Sequence, residues 1–340
     1  MLFALNDLLH RPLTERNRTS SGAINRRQVL ACAAAALPFP LWAAWPDKPV
    51  RLVVPYAAGG GADNAARVVA QRLGELLGKP VVIDNKPGAG GVIGAEQVAR
   101  AAPDGYTVLF DASAYVVNPA LRKLPYDPGK DFIPVSLIVT APQILVVSPQ
   151  SPFKNLADLL AEARKQPNKL TFASAGAATA SHLAAELMAD EANVDLLHVP
   201  YKGGAPALTD VMAGAVDMYF GNAASTLQHV ASGKLRALGV SSRQRLKNLP
   251  QLPTLAETGI PGFEVLEWNG VFLPRATPAD VVARLAKDLQ TAVADPKVQE
   301  RLLQAGVNPV GDAPAEFGAF VEKETKRWAA LVKARGIRLD

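Results

Sequence analysis

From residue 49 onward, short apolar β-branched runs alternate with amphipathic stretches of helical period. The runs at 50–55, 81–84 and 107–111 predict strands, and 63–77 and 91–101 predict helices. Residues 113–135 carry Pro119, Pro125, Pro128 and Pro134, which predict a long loop. Residues 136–147 read as a strand broken at Pro142. The rhythm then restarts, with strands at 170–174, 194–199, 216–220 and 235–240. Helices are expected over 156–164, 179–189, 205–213 and 223–232. A proline-rich passage at 249–263 leads to a strand-like run at 265–273, and helices at 278–292, 297–305 and 314–333 follow.

Such alternation is the pattern of a mostly parallel sheet covered by helices. Two series joined by one strand-like link, with a second link leading to a helical tail, predict an α/β protein of two lobes. The tail is expected to pack back on the first lobe. The expected boundaries are a signal region over 1–45, a first lobe of 46–143 with 262–340, and a second lobe of 144–261.

The 340 residues, 49% of them hydrophobic, suffice for two domains with real cores. The net charge of +5 is concentrated at the amino terminus. There Arg11, Arg16, Arg18, Arg26 and Arg27 face only Asp7 and Glu15, leaving about +2 for the rest of the chain. No dense basic patch interleaves with aromatics, which argues against a nucleic-acid partner. Arg26-Arg27 precede the apolar run 31–44, which ends in small residues; this is the pattern of an export signal, with a twin-arginine flavour and a cut after Ala43 or Ala44. The run is shorter than the ~20 residues a spanning helix needs. Cys32 is the sole cysteine and lies inside that signal, so the mature chain has neither disulfides nor thiolate ligands. The expected location is the bacterial periplasm.

Five turns follow predicted strands, where open α/β sheets gather their ligands. The first is Ala58-Gly59-Gly60-Gly61-Ala62-Asp63, with Asp63 placed to cap a helix. The second contains Gly88, Ala89, Gly90 and Gly91. The third runs Ser174-Ala175-Gly176-Ala177-Ala178-Thr179, followed closely by Ser181 and His182. The fourth includes Tyr201, Lys202, Gly203 and Gly204, and the fifth Gly221 and Asn222. Backbone amides at a helix start favour an anion. Neither glycine turn of the first half has dinucleotide spacing or a Gly-Lys-Ser/Thr sequence, so no nucleotide cradle is expected. Each turn alone also reads as an ordinary tight βα connection.

No HExxH or paired-histidine spacing marks a metal, no G-x-S-x-G elbow is present, and no cofactor is expected. An alternative reading is a secreted hydrolase or transferase using Ser174, Ser181 and His182 with an acid. On the second link, Glu267-Trp268-Asn269-Gly270 places an aromatic either in the core or beside a ligand cleft.

An ordered set of motifs spans nearly the whole mature region. These are Pro49-Val50-Arg51-Leu52-Val53-Val54-Pro55-Tyr56 with its glycine triplet, Asn85-Lys86-Pro87-Gly88-Ala89-Gly90-Gly91, and Pro103-Asp104-Gly105-Tyr106-Thr107. Val199-Pro200-Tyr201-Lys202-Gly203-Gly204 and Pro253-Thr254-Leu255-Ala256-Glu257-Thr258-Gly259 complete it. In these the chain resembles the Bug proteins, extracytoplasmic solute receptors of the tripartite tricarboxylate transporter type. The resemblance implies a periplasmic-binding-protein-like architecture of type II, which closes on its ligand like a Venus flytrap, and no catalysis. It also implies that backbone amides and ordered waters grip a small carboxylate. The matching positions are Ala58, Gly59, Gly60, Gly61 and Asp63, then Gly88 to Gly91, then Ser174, Ala175, Gly176 and Thr179. His182, Tyr201, Lys202 and Gly221 lie in family motifs too. Implied partners are inner-membrane transporter subunits or, for a sensing role, a sensor kinase.

Overall fold

The computed structural model describes residues 45–201 and 203–338. The expected signal segment, Trp45 apart, and Lys202 fall outside the described residues.

The first block is β1 (Val50–Val54), α1 (Gly61–Leu77), β2 (Val81–Asn85), α2 (Val92–Ala99) and β3 (Thr107–Ala112), with β2 and β3 parallel to β1 on either side. The second block is α4 (Leu156–Lys165), β5 (Thr171–Ser174), α5 (Ala180–Ala192), β6 (Leu197–Pro200), α6 (Gly204–Ala213), β7 (Met218–Asn222), α7 (Ala223–Ala231) and β8 (Arg236–Val240). Here β6 and β7 flank β5 in parallel. Each block has the expected βα character.

Two long antiparallel strands join the blocks: β4 (Phe132–Val147) and β9 (Leu266–Pro274). The strand order is β2-β1-β3-β9-β4-β7-β5-β6, with β8 and a short β10 (Asn308–Pro309) also on β4. The two crossovers expected from the sequence are thus each other's neighbours. Pro142 does not break β4. It sits where β4 leaves β9, at the pair Pro142 and Leu266, and joins β7, at the pair Gln143 and Asn222. A proline at a change of partner forfeits little of the ladder.

Residues 113–135 are not a loop throughout. They contain α3 (Ala114–Leu121), and β4 begins at Phe132. Pro119 removes one helical hydrogen bond, a cost of ~3 kcal/mol in a helix interior. Burial of Tyr115, Val116 and Val117 offsets it, at ~1.5–3 kcal/mol for each large side chain. Tyr115 stacks on Phe272 with ring centroids 4.2 Å apart and donates to the Pro128 carbonyl at 2.6 Å.

A four-residue helix, α8 (Leu255–Thr258), interrupts the proline-rich passage under a complete capping box between Thr254 and Glu257. The tail comprises α9 (Ala279–Ala294), α10 (Pro296–Gln304) and α11 (Pro314–Arg335). The first two pack on α1, and buried Leu285, Leu289 and Leu302 share a core with Leu52, Val69 and Leu73. In the second lobe Ile144, Val146, Val211 and Tyr219 form another core. A third runs from Trp268, Phe272 and Phe317 to Phe172, Leu183 and Phe220, binding both lobes. α11 reaches further than expected: Arg335 at its end pairs with Glu186 of α5 at 3.1 Å.

Candidate functional site

The turn after β1 is held from behind by Asp63. Its carboxylate accepts from the Gly59 amide at 2.8 Å, from Arg67 Nε at 2.8 Å and from Asn85 Nδ2 at 2.9 Å. Arg67, then the Gly59 and Asn85 donors, outweigh burial and hold its pKa at about 2. The helix cap itself is Gly60, not Asp63, and offers no side-chain bond. The amides of Gly61, Ala62 and Asp63 consequently have no acceptor among the described residues, since Asn64 is the first to bond back, to the Gly60 carbonyl. Ala58, Gly59, Gly60 and Gly61 are exposed around them. Asp63 therefore brings an open backbone N–H rather than a free carboxylate.

The second turn bends through four successive positive φ values: Gly88 +140°, Ala89 +48°, Gly90 +63° and Gly91 +96°. Only the alanine pays a side-chain penalty for this. Asn118 of α3 clamps the turn, donating from Nδ2 to the Gly90 carbonyl at 2.9 Å, and Arg122 reaches the Ala89 carbonyl at 3.3 Å. Behind it, Tyr56 donates to buried Asp111 at 2.7 Å, and the Ala112 amide bonds the same oxygen at 2.8 Å. Burial pushes Asp111 up to about 7. Sequence reasoning missed Asn118 because the prolines concealed its helix.

In the second lobe, Ser174 is fully buried, with Oγ 2.6 Å from His198 Nε2 and 3.1 Å from the Gly176 carbonyl. The Ala175 amide donates to Ser181 Oγ at 2.9 Å, and Thr179 donates to the Gly176 carbonyl at 2.7 Å. Thr179 is the cap residue of α5, but its hydroxyl is spent on the turn. The amides of Ala180, Ser181 and His182 are left without acceptors among the described residues. His182 is buried, and its Nδ1 accepts from the Ala178 amide at 3.1 Å. Its ring stacks on His198 with centroids 3.9 Å apart. Burial, then His182, pulls the His198 pKa down to about 4.

Tyr201 donates to Asp210 at 2.6 Å, and burial followed by that bond raises it to about 12. Gly221 lies within β7, where an added Cβ would collide with Thr226 Oγ1. Its place is one of close packing.

β9 and β7 are bridged across β4 at Glu267. Its carboxylate accepts from Asn222 Nδ2 at 2.8 Å. Its charge helps to raise both the Tyr56 phenol, after burial and Asp111, and, after burial, the Tyr219 phenol, which stands at about 12. The Ser181 hydroxyl acts the other way. Asn85 also donates to the Tyr56 carbonyl at 3.1 Å, tying the first turn to the Tyr56–Asp111 pair.

Of the helices that follow the five turns, α1, α2, α5 and α6 have no side chain bonded to a first-turn amide, whereas α7 is capped by Asn222; elsewhere α4, α8 and α10 are capped and α3 and α9 are not. Residues 65–337 match the family described as "Tripartite tricarboxylate transporter family receptor". The chain belongs to that family. A Pseudomonas sp. (strain P51) relative, the UPF0065 protein of the tcbD-tcbE intergenic region, is 44% identical over 91% of this chain and 94% of its own. BugT of Bordetella pertussis is 35% identical over 87% and 91% of the two chains. The structure of periplasmic binding protein BugD superposes with a TM-score of 0.75 at 41% identity, covering 86% of this chain and 99% of that one. A Rhodopseudomonas palustris protein with adipate gives 0.77 at 35% identity over 86% and 99%, and R. palustris MatC with bound malate gives 0.74 at 34% over 85% and 100%. The receptor family accounts for the two-lobed α/β architecture. Among the described residues, no helix is long and apolar enough to cross a membrane, and no cluster of three or more potential metal ligands occurs.

Proposed function

We propose that this receptor captures a small carboxylate in the periplasm and delivers it to the membrane subunits of its transporter. The observation that carries this reading is the pair of open helix starts, α1 in one lobe and α5 in the other. Each helix start carries roughly half a positive charge, and an anion there gains about 0.3–2 kcal/mol. Between them these starts offer the amides of Gly61, Ala62 and Asp63 and of Ala180, Ser181 and His182. Adipate and malate in the two R. palustris relatives are acids of the matching kind. In this reading the lobes are 46–143 with 262–340, and 144–261. They hinge where β4 changes partner and close around the acid. The signal over 1–45, of twin-arginine type, directs export and is removed. The turn positions expected from the sequence act through backbone, while His182 and Tyr201 brace them. Lys202 is assigned to the ligand side on sequence alone.

The Ser174–His198 contact gives the hydrolase reading its one supporting observation. Against it, Ser174 has no exposed surface, and no carboxylate hydrogen-bonds either ring nitrogen of His198 among the described residues. We assign no catalysis. A sensor kinase is the competing partner; a transporter-deletion strain that loses uptake but keeps ligand-dependent gene induction would favour it.

Titration calorimetry of the mature chain against di- and tricarboxylates, aromatic acids and acidic amino acids tests the reading. One-to-one binding of at least one acid is expected. A folded protein that binds none overturns it.

A further inference from the structure

The floor between the lobes carries an acid whose presence a plain anion site does not explain. Glu267 pairs with Ala141 on one side of β4, and Asn222 pairs with Gln143 on the other. Alternation along strands puts Glu267, Ala141, Gln143 and Asn222 on one face. The bond from Asn222 to Glu267, made across β4, agrees with this. The residues of opposite parity, Pro142 and Leu266, line a groove elsewhere, with Leu227 and Leu303. Glu267 is half-buried, and among the described residues no lysine, arginine or histidine lies within salt-bridge distance of it.

Its neighbours are donors without acceptors. Gln143 is 2% exposed and Asn269 is 5% exposed, and Gln143 Nε2 and Asn269 Nδ2 are buried with no hydrogen-bond partner. Asn269 shares the face of Glu267, two residues along β9. Buried unpaired donors cost stability unless something fills them. One surface therefore holds two empty carboxamide donors and, between them, a carboxylate that can only accept or repel.

Resting on the carboxylate reading above, we propose that Glu267 sets specificity for an acid bearing a hydroxyl or ammonium group near a carboxyl, whose hydrogen it accepts. The ligand's carboxylate takes the open amides and carboxamides. An unsubstituted acid leaves Glu267 facing an anion with no hydrogen between them, and a site built to pair a polar group rejects the analogue that lacks it.

The test is calorimetry with matched acids: succinate, malate and aspartate, then glutarate, 2-hydroxyglutarate and glutamate. The wild-type chain is expected to bind one substituted acid at least about tenfold tighter than its unsubstituted partner. Whether the hydroxyl or the ammonium member wins identifies the donor. Glu267→Gln, which keeps an oxygen for Asn222, is expected to shrink that ratio to less than about threefold with the melting temperature little changed. Equal binding of substituted and unsubstituted acids by the wild type overturns this inference alone, as does an unchanged ratio in a folded Glu267→Gln. No binding of any acid in the wider carboxylate panel overturns the carboxylate reading with it.

Discussion

The Nε2 of His198 lies 2.6 Å from the hydroxyl of Ser174, and the His198 ring is stacked against His182. The parallel pairing of β5 with β6 sets this contact by placing His198 opposite Phe172, two residues before the serine. His182, the nearer histidine in sequence, is engaged elsewhere with the Ala178 amide.

Because burial lowers His198 to about 4, the ring stays neutral through mildly acidic pH. The folded pKa lies below the unfolded value of roughly 6.5, so the stability held by the neutral ring is present above that value and is lost as pH falls through about 4. A ring-proton titration should show a midpoint well below 6. His198→Gln should flatten the loss of stability between pH 6.5 and 4 by about 1–3 kcal/mol in denaturant melts.

Asp63 gives a window at lower pH. Its folded pKa of about 2 is below its ordinary value, so its contribution is complete above about 4 and disappears as pH falls towards 2. Asp63→Asn should cost about 1–2 kcal/mol at pH 7 and nearly nothing at pH 2. The same variant should weaken ligand binding at pH 7, because the Gly59 amide and the turn lose their anchor.

Asp111 has the opposite sign. Its pKa is raised to about 7, so folding stability falls as pH rises from its ordinary value of 3.8 through 7. Asp111→Asn can still accept from Tyr56 and Ala112. Relative to wild type it should gain about 2–3 kcal/mol between pH 5 and pH 8, measured by urea unfolding at both.

Asn118→Ala removes the clamp on the Gly90 carbonyl. A lost buried hydrogen bond costs about 1–3 kcal/mol. For a chain of this size the melting point should drop by roughly 2–4 °C per kcal/mol. Ligand dissociation should accelerate as the second turn loosens, read by stopped-flow fluorescence.

The sequence made the βα rhythm legible because its apolar periods are strong and its glycine turns fall at strand ends. It concealed α3, where Pro119 and the later prolines outvoted Tyr115, Val116 and Val117, whose burial decides the matter. It also split β4 at Pro142, since a single chain does not reveal that the strand changes partners there. At the site the turns were legible, but the division of labour within them was not. Asp63 and Ser174 look like ligand groups until their bonds to Arg67 and His198 are seen. The contact between Asn222 and Glu267 joins residues 45 apart, and no local pattern announces it.

A crystal structure of the mature chain with a bound acid tests the central claim most directly. The account predicts carboxylate oxygens at about 2.7–3.2 Å from amides of Gly61 to Asp63 in one lobe and of Ala180 to His182 in the other. An acid seated away from both helix starts, or held only by charged side chains, would contradict it.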